Sequence, residues 1–342
     1  MKNLIRFLII TILFNLVLTA SAFANTVELT QDYTPKLVDG SGDLYIPLPQ
    51  QGKPYQKVLE QNITGNATFV KTKQISLDSN KENDVEYLHA HWEKVENPKI
   101  KIIQKIELSN RENSNPETAS VAYFLKPTKH VQTDEIVLET AKKITKGLKN
   151  NDEKAEAIYN WIVDNTFRDP LVRGCGLGDV KTLLKSGNFS GKCADLNSLF
   201  VGLARASGIP ARDVWGLRVA PSNWQSVLGK EGDVTKSQHC RAEYYSDNKK
   251  AWIPADPADI RKLILDGKLK IDDPDVKRMR KTLFGKWEGN WIAYNHGRDY
   301  QIPDIPEKTN YLMYPQLVTS KLSPDGMDPT EVSYALNSRL IK

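Results

Sequence analysis

A thiol, an imidazole and a carboxylate stand in three short segments between residues 191 and 256. Gly191-Lys192-Cys193-Ala194-Asp195 opens an apolar run, Gln238-His239-Cys240-Arg241-Ala242-Glu243-Tyr244-Tyr245 alternates as a strand does, and Trp252-Ile253-Pro254-Ala255-Asp256 ends the next strand. A cysteine nucleophile needs a base beside it, and the base needs a third group to orient it. Cys193, His239 and Asp256 are therefore the candidate parts of a Cys-His-Asp acyl-transfer site.

Leu196, Leu199, Phe200 and Leu203 recur at helical spacing, and Gly208 followed by Pro210 ends the helix. Cys193 lies three residues before this stripe, so its side chain points toward the protein body from the first turn. There the free amides and the positive end of the helix dipole favour thiolate over thiol, and the same amides could bind a developing oxyanion. The alternative for a cysteine on an apolar stripe is a small buried hydrophobe.

The histidine and aspartate follow from a hairpin. Ser246-Asp247-Asn248-Lys249 reads as its loop, which sets Tyr245 opposite Lys250 and, stepping outward, His239 opposite Asp256. Cross-strand neighbours have β-carbons about 4.5–5.5 Å apart, close enough for a carboxylate to bond an imidazole. His239, Arg241 and Glu243 share one face, so Arg241 and Glu243 are expected to contact substrate; Cys240, Ala242 and Tyr244 face the core.

The elements that must hold these groups change character along the chain. Residues 25–130 read as strands of a small antiparallel sandwich, with alternation over Asp84 to Trp92 and Ile100 to Leu108. From residue 131 the period is helical: Val137, Ala141, Ile144 and Leu148 mark one helix, with Thr133 as its cap, and Ala155, Ile158, Tyr159 and Ile162 a second. A catalytic domain over 131–300 and a C-terminal extension over 301–342 complete an α+β chain.

Residues 1–24 carry Lys2 and Arg6, an apolar run from Phe7 to Leu18, and Ala22-Phe23-Ala24 as a cleavage signature. This predicts an exported protein, periplasmic or secreted. The run is short of the ~20 residues that span a bilayer, and no later segment approaches that length. Removing Lys2 and Arg6 lowers the net charge from +5 to +3, too mild and scattered a balance for a nucleic-acid partner.

Gly-x-Cys at a helix start, Gly208-Ile209-Pro210-Ala211-Arg212 closing that helix, a histidine-led strand, and Trp252 to Pro257 with its aspartate occur in one order. Together they resemble the transglutaminase-like superfamily of exported bacterial type, over roughly residues 131–260. The resemblance implies a papain-like core, with Cys193 as nucleophile, His239 as general base and acid, and Asp256 orienting His239. Many members carry an aromatic two residues after the histidine, where this chain has Arg241. The implied activity is acyl transfer from an amide of a protein or peptide substrate, to water as in a protease or amidase, or to an amine as in a transglutaminase. The competing class is a non-catalytic binding module that keeps the fold.

Other groups are weaker candidates. His89, His91 and Glu93 would share a strand face but lack further ligands to complete a metal set, and His296 and Asp259 are rivals to His239 and Asp256. Trp161, Trp215 and Trp252 read as core. No phosphate loop or EF-hand pattern occurs, and no cofactor or metal is implied. Of the three cysteines, Cys175 and Cys240 are the pair that could form a disulfide without silencing Cys193; otherwise both stay reduced.

Overall fold

The computed structural model describes residues 25–77, 85–112, 121–305, 307–321 and 326–341. The expected leader, residues 1–24, lies outside them. Among the described residues no helix is long and apolar enough to cross a membrane.

The first part of the chain is β1 (Asn25–Tyr33), β2 (Gly42–Pro47), β3 (Gln56–Gly65), β4 (Phe69–Ile75), β5 (Val85–Trp92) and β6 (Ile100–Leu108). Alternation decides which face is buried: in β6, Ile100, Ile102, Ile106 and Leu108 lie inside, while Lys101 is exposed on the other face. The helical part follows as α1 (Glu135–Ile144), α2 (Asn151–Asn165), β7 (Phe167–Arg168), α3 (Val180–Ser186), β8 (Ser190–Gly191) and α4 (Cys193–Ala206). Then come β9 (Ala211–Arg218), β10 (Gly232–Asp233), β11 (Arg241–Ser246), β12 (Ala251–Ala255), α5 (Pro257–Asp266), α6 (Pro274–Thr282), β13 (Trp291–Asn295), β14 (Gln316–Val318), α7 (Pro329–Val332) and β15 (Tyr334–Ile341). The α1 cap is Asp134, one residue past the expected Thr133.

Two sheets, ordered β10-β15-β1-β6-β3 and β14-β2-β5-β4, form the sandwich. The final segment is therefore not an appendage: β15 pairs with β1 along its whole length and β14 pairs with β2. A third antiparallel sheet, β12-β11-β9-β13, belongs to the α+β domain. Helix α4 packs on β9 and β11 and is covered by α1, α2, α3 and α5. Leu196, Leu199, Phe200 and Leu203 are fully buried, as the stripe requires, and so are Asn197 and Ser198 on its flanks, which makes α4 the central helix of the domain.

The β11–β12 register differs from the expected one. Ser246 pairs with Ala251 and Ala242 with Ala255, so the loop is residues 247–250, one position later than Ser246–Lys249. Lys250 takes a left-handed conformation (φ 53°) that belongs to a turn, and Ser246 is held in the strand by its bond to Asp152 Oδ2 at 3.0 Å. The slip moves each pairing by two residues, so the side-chain faces stay as expected, but His239 is no longer the strand partner of Asp256.

Candidate active site

Cys193 is the first residue of α4, and the loop before it is fixed by Asp195. One carboxylate oxygen of Asp195 accepts from Lys192 N at 2.9 Å and the other from Gly178 N at 2.9 Å. The glycine-rich loop must press against that carboxylate: Gly176 has φ +91°, and a β-carbon there would lie 2.0 Å from Asp195 Oδ2. Ala194 N is used by Cys175 O at 2.9 Å, whereas Cys193 N–H has no partner among the described residues. That amide, at the positive end of α4, is the available donor for an oxyanion.

His239 stands just ahead of β11 and is held by its backbone. Its N–H donates to Gly216 O at 3.0 Å, and its carbonyl accepts from Trp291 Nε1 at 2.8 Å. The Trp291 ring crosses β9 at Gly216, where a β-carbon would come within 2.4 Å of it. Asp256 reaches His239 from a helix start rather than across the hairpin. As the N-cap of α5, its Oδ1 accepts from Asp259 N at 3.1 Å and from Asn197 Nδ2 at 3.1 Å. This leaves Oδ2 for His239 Nε2 at 2.7 Å, and Nδ1 for Cys193. The three groups named from sequence thus meet, with Asn197, one turn after Cys193 on α4, tying nucleophile helix to carboxylate.

A second carboxylate stands behind the first. Asp259 Oδ1 lies 3.5 Å from His239 Nε2 and 2.5 Å from an Arg218 guanidinium nitrogen. His239, Asp256 and Asp259 have the donor types and spacing of a cation site, all within 4.8 Å of one another, and Arg218 already supplies a positive charge there.

The electrostatics favour a thiolate and an imidazolium. Hydrogen bonds from the Cys175 and Cys240 thiols, with His239, hold Cys193 well below the ordinary thiol range despite its burial. Cys175, hydrogen-bonded to that sulfur, and Cys240, buried beside it, are both pushed up and keep their protons. Burial and Arg218 disfavour a charged His239, but Asp259 and Asp256 outweigh them and raise it. Burial raises Asp256, whereas Asp259 falls below the usual carboxylate range, its burial overcome by Arg218 and His239.

Cys193 and His239 line a cleft of about 580 Å³ with Arg168, Lys192, Gln238 and Tyr314 among its walls. Arg241 and Glu243, expected to contact substrate, are corrected by their burial: they are 2% and 0% exposed and stand outside this lining. Arg241 lies between the Trp287 and Trp291 rings, at 5.3 and 4.6 Å, with Nε 3.5 Å from Asp256 Oδ2. It fills the place of the aromatic found in many relatives of the expected family. Glu243 is bound by Arg111 and Arg212.

The rival groups lie elsewhere. His296 is buried with Nδ1 3.2 Å from Asp213 O, and burial with nearby Arg212 keeps it neutral. His89 and His91 both bond Asp43 Oδ1, at 2.7 and 2.9 Å, a partner the sequence reading missed. Trp215 and Trp252 are core, and Trp161 packs against it.

None of the three cysteines is in a disulfide, and Cys175 Sγ lies 3.2 Å from Gln238 O; the Cys175–Cys240 bridge is not formed. Iodoacetamide is therefore expected to alkylate Cys193 first, at a rate that stays high well below the pH at which an ordinary thiol ionises. Cys175 and Cys240 should react only after denaturation, without added reductant. Equal labelling of all three in the native protein, or a rate that rises only above about pH 8.5, would contradict the assigned order of ionisation.

Residues 138–257 match the transglutaminase-like superfamily. An uncharacterised protein of Haemophilus influenzae is 35% identical over 340 residues, covering 91% of this chain and 90% of that one. Among solved structures, one described as a putative cysteine protease from Cytophaga hutchinsonii superposes with a TM-score of 0.58 at 14% identity, over 94% of this chain and 92% of the other, a likeness of fold. The α+β domain with its thiol at the start of a central helix, facing a histidine and a helix-capping aspartate, belongs over residues 138–257 to the transglutaminase-like superfamily.

Proposed function

We propose that the protein is an exported cysteine hydrolase that cleaves amide bonds of peptide or protein substrates. The observation that carries this reading is the placement of His239 between Cys193 and Asp256 at the wall of an open cleft. The Cys193 thiolate attacks the carbonyl carbon, and the oxyanion is met by the Cys193 N–H. His239, charged through Nδ1, delivers its proton to the departing amine, leaving a thioester and a neutral imidazole. Neutral His239 then takes a proton from water as it attacks the thioester, and the acid product and thiolate are released. Asp256 keeps Nε2 protonated and the ring in plane through both steps.

Water is the favoured acceptor because the cleft is lined by charged and polar groups that admit it, whereas transfer to an amine requires its exclusion. Digestion of a peptide library in ¹⁸O-water is expected to place one heavy oxygen in each new carboxylate, and none when Cys193→Ala replaces the enzyme. Products carrying an added amine in place of the oxygen would reassign the acceptor. Cleavage that survives Cys193→Ala would remove the nucleophile.

A further inference from the structure

The charge of the cleft is unlike that of the chain. Arg168, Arg173, Lys192, Lys230, Lys236 and Lys262 all line it, against one acidic lining residue among the described residues, Asp328, whose carboxylate is engaged by Thr330. Two of these cations have partners: Lys262 is paired with Asp266, and Arg173 lies 3.8 Å from Glu331. Among the described residues, Arg168, Lys192, Lys230 and Lys236 have no carboxylate at ion-pair distance. Each is at least partly exposed to solvent.

Their positions bracket the reacting atoms. In the parallel β7–β8 pair, Arg168 is in register with Gly191, two residues before Cys193, and Lys192 follows directly. The charge of Arg168 reaches the Cys175 thiol beside Cys193, where it opposes the upward push of burial and of the Cys193 sulfur. On the histidine side, Lys236 precedes His239 by three residues in the turn closed by Ser237 N to Val234 O at 2.9 Å, and Lys230 lies in the loop before β10. Positive charge therefore lines the cleft both in the segments next to Cys193 and in the segment leading to His239. A cleft lined by one sign of charge focuses the field and raises the local concentration of the opposite sign.

We infer that the acyl donor is an acidic peptide, with carboxylates flanking the scissile amide that reach Arg168 and Lys192 beside the thiol and Lys230 and Lys236 along the segment leading to His239. This rests on the proposed role of Cys193. Hydrolysis proceeds as above, and the cations contribute to binding and orientation only.

The test is protection of Cys193 from iodoacetamide in the full-length exported protein. Amidated hexaglutamate should slow alkylation about tenfold or more at low salt, and the effect should shrink as salt approaches physiological strength. Amidated hexalysine and hexaglutamine should not protect. The Lys192→Gln/Lys236→Gln double variant should lose most of the protection by hexaglutamate. Hexaglutamine with a free carboxyl terminus is the arm that separates side-chain from terminal carboxylates: protection there alone would overturn the acidic-peptide assignment in favour of a terminal carboxylate. Equal behaviour of acidic and neutral peptides, or protection by phosphatidylglycerol vesicles and not by hexaglutamate, would also overturn it. If Cys193 is not the thiol that iodoacetamide marks in the unprotected protein, the nucleophile assignment fails instead, and the two failures are distinguishable.

Discussion

Replacing Cys193 by Ala is expected to lower amide hydrolysis by on the order of 10⁴-fold or more, and His239→Ala by a similar factor, with the double variant little worse than either. The non-additivity follows from the site: a thiolate without its imidazolium partner, and an imidazolium without its thiolate, each leave only binding and the oxyanion donor. Asp256→Asn is the informative third variant. Asparagine is as good an N-cap as aspartate, so α5 keeps its start while Nε2 of His239 loses its carboxylate. Activity should fall by about 10²–10⁴-fold with little loss of stability, less than for Cys193→Ala, because Asp259 remains at 3.5 Å to favour the charged ring. The same geometry sets the pH profile. Hydrolysis should fall on the acid side as Cys193, itself held low, takes up a proton, and on the alkaline side as His239, held high, loses the one it must donate. Variants assayed as purified folded protein check both points. Near-full turnover by Cys193→Ala, or a rate that keeps rising through alkaline pH, would contradict the ion pair.

Much of this site was legible in the residues, though not for every reason first given. Cys193 at the start of α4 followed from the spacing of Leu196, Leu199, Phe200 and Leu203, a local signal that packing had no cause to override. The contact of His239 with Asp256 was expected from a hairpin register that the turn does not adopt. A two-residue slip preserves the faces of both strands, and helix capping brought the carboxylate to the ring by another route. Asn197 could have been found, as a polar residue one turn from Cys193 on an otherwise apolar helix. Arg218 and Trp291 could not, because their approach to Asp259 and His239 depends on β9 lying between β11 and β13. The strands β14 and β15 were invisible for the same reason: pairing with β1 and β2 across nearly the whole chain leaves no local period beyond a short alternation. Arg241 and Glu243 were placed on the correct face, but that face is covered.

The covering of that face gives the largest expected effect on stability. Glu243 is fully buried, as is Arg212, whose guanidinium lies 4.0 Å from the Trp252 ring and bonds Glu243 Oε2 at 2.7 Å. Arg111, from the segment leaving β6, bonds the other carboxylate oxygen and stacks at 4.8 and 4.9 Å on Tyr55 and Trp287. One carboxylate therefore bridges two desolvated cations, and it joins the sandwich end of the chain to the sheet beside His239. Glu243→Ala leaves both guanidinium groups buried without that charge, a loss of about 3–5 kcal/mol. An exposed pair such as Arg278–Asp275 should by contrast contribute little, because water screens it. Glu243→Gln keeps the shape and one acceptor, so it should fall between wild type and Glu243→Ala. Urea unfolding of the three proteins, followed by fluorescence of the buried tryptophans, orders them. A Glu243→Ala midpoint close to wild type, together with altered substrate preference, would return this residue to the cleft wall; a large loss of stability keeps it where the two arginines hold it.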